Sequence, residues 1–142
     1  MFFRNLLFLL FSCLLHAKLS ACKASIDGLM LEGTCKGILK HGRFVGYYEN
    51  GLLAWEVSYK DGYLHGVFRH YYPGGALHFQ GEYRQSKLQG RFYQYDSAGA
   101  QSLRASFKDG LLHGWLYVFD NERKVEALKY YYGKLVRQEY ID

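Results

Sequence analysis

Four glycines, Gly42, Gly66, Gly90 and Gly114, recur at a step of 24 residues, and the same step carries other positions with them. Phe44, Phe68, Phe92 and Leu116 keep it, as do Tyr47, Tyr71, Tyr95 and Phe119. So do Gly51, Gly75 and Gly99; Tyr59, Tyr83, Phe107 and Tyr131; and Leu64, Leu88 and Leu112. A chain on such a beat folds as stacked copies of one short unit, because no single copy buries its own apolar face. The most legible string is Tyr59-Lys60-Asp61-Gly62-Tyr63-Leu64-His65-Gly66-Val67-Phe68, and it returns from Phe107 to Leu116. The middle copy has Gln85-Ser86-Lys87-Leu88-Gln89 in its turn, and the last slips by one residue because Gly133 arrives early.

Each unit reads as a β-hairpin. Tyr, Phe and Gly abound, there is one Pro, and helix-favouring runs are scarce, a balance that favours strands and turns. Asn50-Gly51 reads as a two-residue type I′ turn, with Gly74-Gly75 and Ala98-Gly99 in the same place in later units. Asp61-Gly62 and Asp109-Gly110 supply the turn between units. A two-residue loop at Asn50-Gly51 would set Tyr48 opposite Leu53, Gly46 opposite Trp55, Phe44 opposite Val57 and Gly42 opposite Tyr59. The next unit would pair Tyr72 with Leu77, His70 with Phe79, Phe68 with Gly81 and Gly66 with Tyr83. The third would pair Phe92 with Ala105 and Gly90 with Phe107. Opposed residues share a face, so one face is apolar, with a large side chain repeatedly set against a small one. The other carries Glu56, Ser58, Lys60 and their equivalents, with Tyr47, Tyr71, Tyr95 and Phe119 as a stripe. About nine strands are expected, and no segment after residue 21 reads as a helix able to cover the apolar face. That face must curl on itself, form a homodimer or receive a partner, and the end strands are open to strand addition.

The N-terminus has a different character. Arg4 precedes an apolar run from Leu6 to Leu15, about half the length of a membrane span, which fits an export signal removed from the mature chain. Leu19-Ser20-Ala21-Cys22 resembles the lipobox of bacterial lipoproteins. That resemblance implies acylation of Cys22 after cleavage and, with Lys23 rather than Asp next, an outer-membrane tether facing the periplasm. The expected organisation is then a signal helix over 1–21, a tether over 22–26 and a repeat domain over 27–142. Its copies are 42–65, 66–89, 90–113 and 114–136, with a worn copy at 27–41. If Cys22 is acylated, Cys35 is a lone thiol; if the chain is simply secreted, the two can pair. Removing residues 1–21 leaves 16 basic and 13 acidic side chains, a mild and scattered excess that does not argue for nucleic acid.

The repeating string is similar to the MORN repeat, specifically its bacterial variant, whose members are often described as antitoxin-like. The resemblance covers roughly 27–136. It implies an elongated, single-layer antiparallel sheet with one hairpin per repeat, and it raises neutralisation of a toxin as a role.

Catalysis is not expected. His41, His65 and His113 suggest a metal row, but copies one repeat apart lie about 9.5 Å from each other and Gln89 interrupts them. They read better as parts of the turn. Asp61 and Asp109, two units apart, are too distant for paired acid–base work, and nothing local activates Cys35. No metal or cofactor is expected. The expected role is a protein-binding or scaffold module at the cell envelope. Tyr47, Tyr71, Tyr95 and Phe119 are the candidate binding residues; recognition of cell-wall glycan by that aromatic row is an alternative.

Overall fold

The computed structural model describes residues 18–141, and all of their regular structure is strand. The strands are β1 (Leu19–Ile26), β2 (Leu29–Lys36), β3 (Leu39–Lys40), β4 (Gly42–Tyr47), β5 (Leu53–Lys60), β6 (Tyr63–Leu64) and β7 (Gly66–Tyr71). They continue as β8 (Leu77–Arg84), β9 (Lys87–Tyr95), β10 (Gln101–Lys108), β11 (Leu111–Leu112), β12 (Gly114–Asp120), β13 (Arg123–Tyr131) and β14 (Lys134–Tyr140). They form one sheet in chain order, with the short β3, β6 and β11 pairing β2, β5 and β10; every pairing is antiparallel. The all-β, single-layer reading holds. The expected signal helix falls mostly on residues outside the described ones, and its last residues, Leu19 to Ala21, form the start of β1.

Fourteen strands replace the expected nine for two reasons. The N-terminal hairpin β1–β2 uses residues read as signal, tether and worn copy. Three of the long arms also break before Gly42, Gly66 and Gly114, whose φ of 87°, 94° and 98° lies in the left-handed region that suits glycine, while β9 runs unbroken through Gly90 at a φ of 75°.

The turns differ from expectation at one end of each hairpin. Asn50-Gly51 is not a two-residue type I′ turn. Tyr48 pairs with Leu52 around a three-residue loop, closed by the Gly51 N–H donating to the Tyr48 carbonyl at 2.9 Å. Only the glycine takes positive φ, at 82°. Tyr72 to Ala76 and Asp96 to Ala100 repeat the arrangement. The extra loop residue shifts the pairing, so Tyr47 rather than Tyr48 meets Leu53 and Tyr71 rather than Tyr72 meets Leu77. A bulge then takes up the slack. Beyond it every expected pair forms: Gly46–Trp55, Phe44–Val57 and Gly42–Tyr59; His70–Phe79, Phe68–Gly81 and Gly66–Tyr83; Phe92–Ala105 and Gly90–Phe107.

Type I′ geometry sits at the opposite end. Both residues of Asp61-Gly62, Gln85-Ser86 and Asp109-Gly110 have positive φ. Each of these turns is tied to the previous repeat: the Gly62, Ser86 and Gly110 N–H groups donate to the Lys40, Leu64 and Leu88 carbonyls at 2.8, 2.8 and 2.9 Å.

The apolar face is concave and partly covered by the chain itself. Leu31, Phe44, Val57, Phe68 and Ala24 form a buried cluster with Trp55, Tyr59, Phe79, Tyr83 and Phe92 packed against it. The Asp27-Gly28 tip of the β1–β2 hairpin lines one depression, about 440 Å³, together with Trp55 of β5, His70 of β7 and Phe79 of β8. Strand β8 lies four places from β2, which is roughly 19 Å in a flat sheet. The sheet therefore curls, and its N-terminal hairpin closes over the first half of the aromatic layer. Of the three expected ways to cover that layer, curling of the sheet on itself accounts for its first half.

The layer depends on small residues at close approaches. A Cβ at Gly81 would lie 2.8 and 2.9 Å from Phe68 ring atoms and 3.2 Å from Phe92, whereas one at Gly74 meets nothing within 4 Å. Gly81→Ala is expected to destabilise by about 1–3 kcal/mol, as overpacking does, and Gly74→Ala by much less. Chemical denaturation of the two variants measures the difference.

Candidate functional site

The face away from the aromatic layer changes chemistry along the sheet. Glu56, Arg69, Gln80, Tyr93, Arg104 and Tyr117 form one row, each opposed to the next across neighbouring strands. Toward its N-terminal end ion pairs form: Glu56 receives Arg43 Nε at 2.6 Å and Arg69 Nη1 at 3.5 Å, and Lys23 Nζ lies 3.6 Å from Glu32. From β9 onward they are scarcer. By register Arg91, Arg104, Lys108, Lys124, Lys129 and Arg137 share this face, and Glu139, 2.6 Å from Arg137, is the carboxylate among them. The basic excess of this face is greatest in its C-terminal half, which a residue count does not reveal.

Aromatic rings hold these cations. Lys124 Nζ lies 4.1 Å from the Tyr117 ring centre, and the Arg104 guanidinium lies 4.8 Å from the same ring and 6.0 Å from Phe119. Lys129 Nζ is 5.5 Å from Trp115 and Lys108 Nζ is 5.3 Å from Tyr132. Such contacts leave the charge in place while restricting the side chain. A depression of about 430 Å³ opens here between Arg91, Arg104, Ser106, Trp115 and Tyr117.

The expected stripe of Tyr47, Tyr71, Tyr95 and Phe119 lies on this face at the loop-side ends of β4, β7, β9 and β12. Tyr47 is exposed, while the other three are half-buried. The main chain of this stripe also ties one repeat to the next. The Tyr48 hydroxyl donates to the Tyr71 carbonyl, and the Tyr72 hydroxyl to that of Tyr95 at 2.9 Å.

The histidine row belongs to the turns. His41 Nδ1 faces the Asp61 N–H at 3.5 Å and His113 Nδ1 the Tyr132 N–H at 3.4 Å. Gln89 does the same more tightly, its Oε1 accepting from Asp109 N–H at 2.7 Å. Three of the four positions of the row thus cap the next turn; at the His65 turn the Ser86 Oγ instead accepts from the Leu64 N–H at 3.0 Å. Among the described residues no three His, Cys, Asp or Glu side chains converge on a common point.

Another histidine pair was not foreseen. His70 and His78 approach through their Nδ1 atoms at 3.1 Å, beside Tyr48, Tyr72, Trp55 and Phe79. Uniform register puts His78 on the polar face, but it occupies the bulge between His70–Phe79 and Tyr71–Leu77, which turns it toward His70. The proton positions follow from counting donors. Tyr48 spends its one hydroxyl proton on the Tyr71 carbonyl, so at 3.2 Å it accepts from His70 Nε2. Neutral His70 then has a lone pair at Nδ1, and His78 donates to it from its own Nδ1. Burial lowers the pKa of both, His78 depresses that of His70 further, and Asp27 opposes in part.

The two cysteines form a disulfide in the N-terminal hairpin, with Cα atoms 5.7 Å apart. Cys22 opposes Gly33 and Cys35 opposes Ser20, so the bond crosses the hairpin diagonally on the aromatic face. A bridge across 13 residues contributes about 3 kcal/mol in the chain-entropy account. The same Cys22 sulfur cannot also bear a lipid.

No protein-family model matches the chain, and no curated protein matches it.

Because the folded pKa of each core histidine lies below its unfolded value, stability from the neutral pair is full above the unfolded pKa and is lost as pH falls through the folded one. The thermal midpoint is expected to fall between pH 7.5 and pH 5, and His78→Gln is expected to shrink that fall. Thermal unfolding of the two proteins at both pH values checks it.

Proposed function

We propose that this chain is a non-catalytic, MORN-like binding module of the cell envelope that holds a protein partner on the C-terminal half of its sheet. The observation that carries this reading is the uneven cover of the aromatic layer. The buried large side chains of the layer, Leu31, Phe44, Val57 and Phe68, lie on β2 to β7, while Leu103, Leu116 and Leu128 on the same side of β10, β12 and β13 stay half-buried. The last strand adds Leu135, Val136 and Tyr140, all exposed. Apolar surface and a free strand edge at one end of a repeat sheet are features that protein partners use. A toxin is the particular partner that the repeat resemblance implies.

Photocrosslinking tests the reading. A photoreactive residue at Leu116 or Tyr117 is expected to capture one stoichiometric partner in envelope preparations, and one at exposed Tyr63 in the N-terminal half is not. Capture from Tyr63 with none from the other two would contradict it.

The proposal includes export and a tether at Cys22 in the outer membrane, facing the periplasm, which rests on the lipobox-like Leu19-Ser20-Ala21-Cys22. In that form the mature chain loses the first three residues of β1, and Cys35 is a free thiol. The disulfide form is equally suited to an oxidising compartment. Intact mass separates them. Fatty-acyl mass on Cys22 with one free thiol is expected for the tethered protein; a gain of two hydrogens on reduction, with no acyl mass, would remove the tether.

A further inference from the structure

We infer that the face opposite the uncovered aromatic side, in the same C-terminal half of the sheet, is a second part of the partner surface, built for an acidic polypeptide segment; this rests on the protein-binding reading above. Arg91, Arg104, Lys108, Lys124 and Lys129 lie on β9, β10 and β13, and no carboxylate of the described residues lies within 4.0 Å of any of them. In the N-terminal half of the same face Glu56 satisfies two arginines. Lys60 and Arg84, the equivalents of Lys108, have no such partner either, but the uncompensated cations of this face are most numerous among these five.

The placing of the rings selects among anions. Stacking of sugars or nucleobases needs free aromatic faces. Here the Tyr117, Trp115 and Tyr132 rings already carry Lys124, Arg104, Lys129 and Lys108. A ligand therefore meets cation heads laid across these rings, not bare rings; of the Tyr47, Tyr71, Tyr95 and Phe119 row, Phe119 is the member such a cation reaches, Arg104 at 6.0 Å. Carboxylates are the complement: they accept charge-assisted hydrogen bonds from guanidinium and ammonium groups without displacing the stacks. The depression between Arg91, Arg104 and Tyr117 is open enough for such side chains.

The test uses the full chain and a fluorescent poly-glutamate peptide, followed by anisotropy. Binding is expected at low salt and is expected to weaken steeply by 0.3 M salt, as screening of exposed charges requires. Arg104→Gln with Lys124→Gln is expected to weaken it roughly tenfold, the sum of two exposed charge contacts. Arg104→Lys with Lys124→Arg is expected to keep it, and Arg43→Gln, in the N-terminal half, to leave it within about twofold. Circular dichroism establishes that each variant is folded. Absence of binding, an unchanged affinity in the double Gln variant, or tighter binding to single-stranded oligonucleotide or anionic vesicles would each overturn the inference. A partner crosslinked at Tyr117 together with no poly-glutamate binding would overturn the acidic chemistry alone and leave the protein-binding reading intact.

Discussion

A sheet one layer thick has no second layer to fill its core, so its apolar face must pack by opposing large side chains to small ones. Phe68 against Gly81 and Trp55 against Gly46 are that constraint in its simplest form. Two large residues at either pair would force the strands apart, and two small ones would leave a void. Every other feature of the fold keeps those pairs in step. The three-residue loops put the register out by one, the bulges restore it, and the type I′ turns of one repeat hydrogen-bond to the strand of the one before.

The bulges do more than correct register. They add twist, and the accumulated curl brings the Asp27-Gly28 tip over Trp55, His70 and Phe79. The same irregularity that keeps Phe79 opposite His70 delivers His78 to the concave side. Packing and titration chemistry thus share one cause. Because the cover comes from a single hairpin at one end, it runs out by β10, and the two halves of the molecule present different surfaces.

Much of this was legible in the residues. The 24-residue beat gives the hairpins, and the big-against-small pairs inside each hairpin appear at the positions their spacing implies. Asn50-Gly51 misled because asparagine–glycine suits two loop geometries, and the choice rests on whether Asn50 takes positive φ. Its carboxamide oxygen instead accepts from the Leu52 N–H at 3.0 Å, and its Nδ2 donates to the Pro73 carbonyl at 2.8 Å. That second contact is to the next repeat, invisible to local turn rules. His78 escaped for the same reason: one unseen bulge reverses a side chain. The basic half-face escaped because a net charge has no address, and the matching of Glu56 to Arg43 and Arg69 is a matter of register. The position of β1 was obscured by the resemblance of Leu19 to Cys22 to a processing site.

The curl is the point on which the difference between the halves turns. Nuclear Overhauser contacts between the Leu29 methyls and the Trp55 and Phe79 rings report it directly. Such contacts to both rings are expected if the N-terminal hairpin closes over the aromatic layer. If Leu29 shows contacts to its strand neighbours in β1 and β4 and none to those rings, the sheet is flat there and the account of a self-covered first half is wrong.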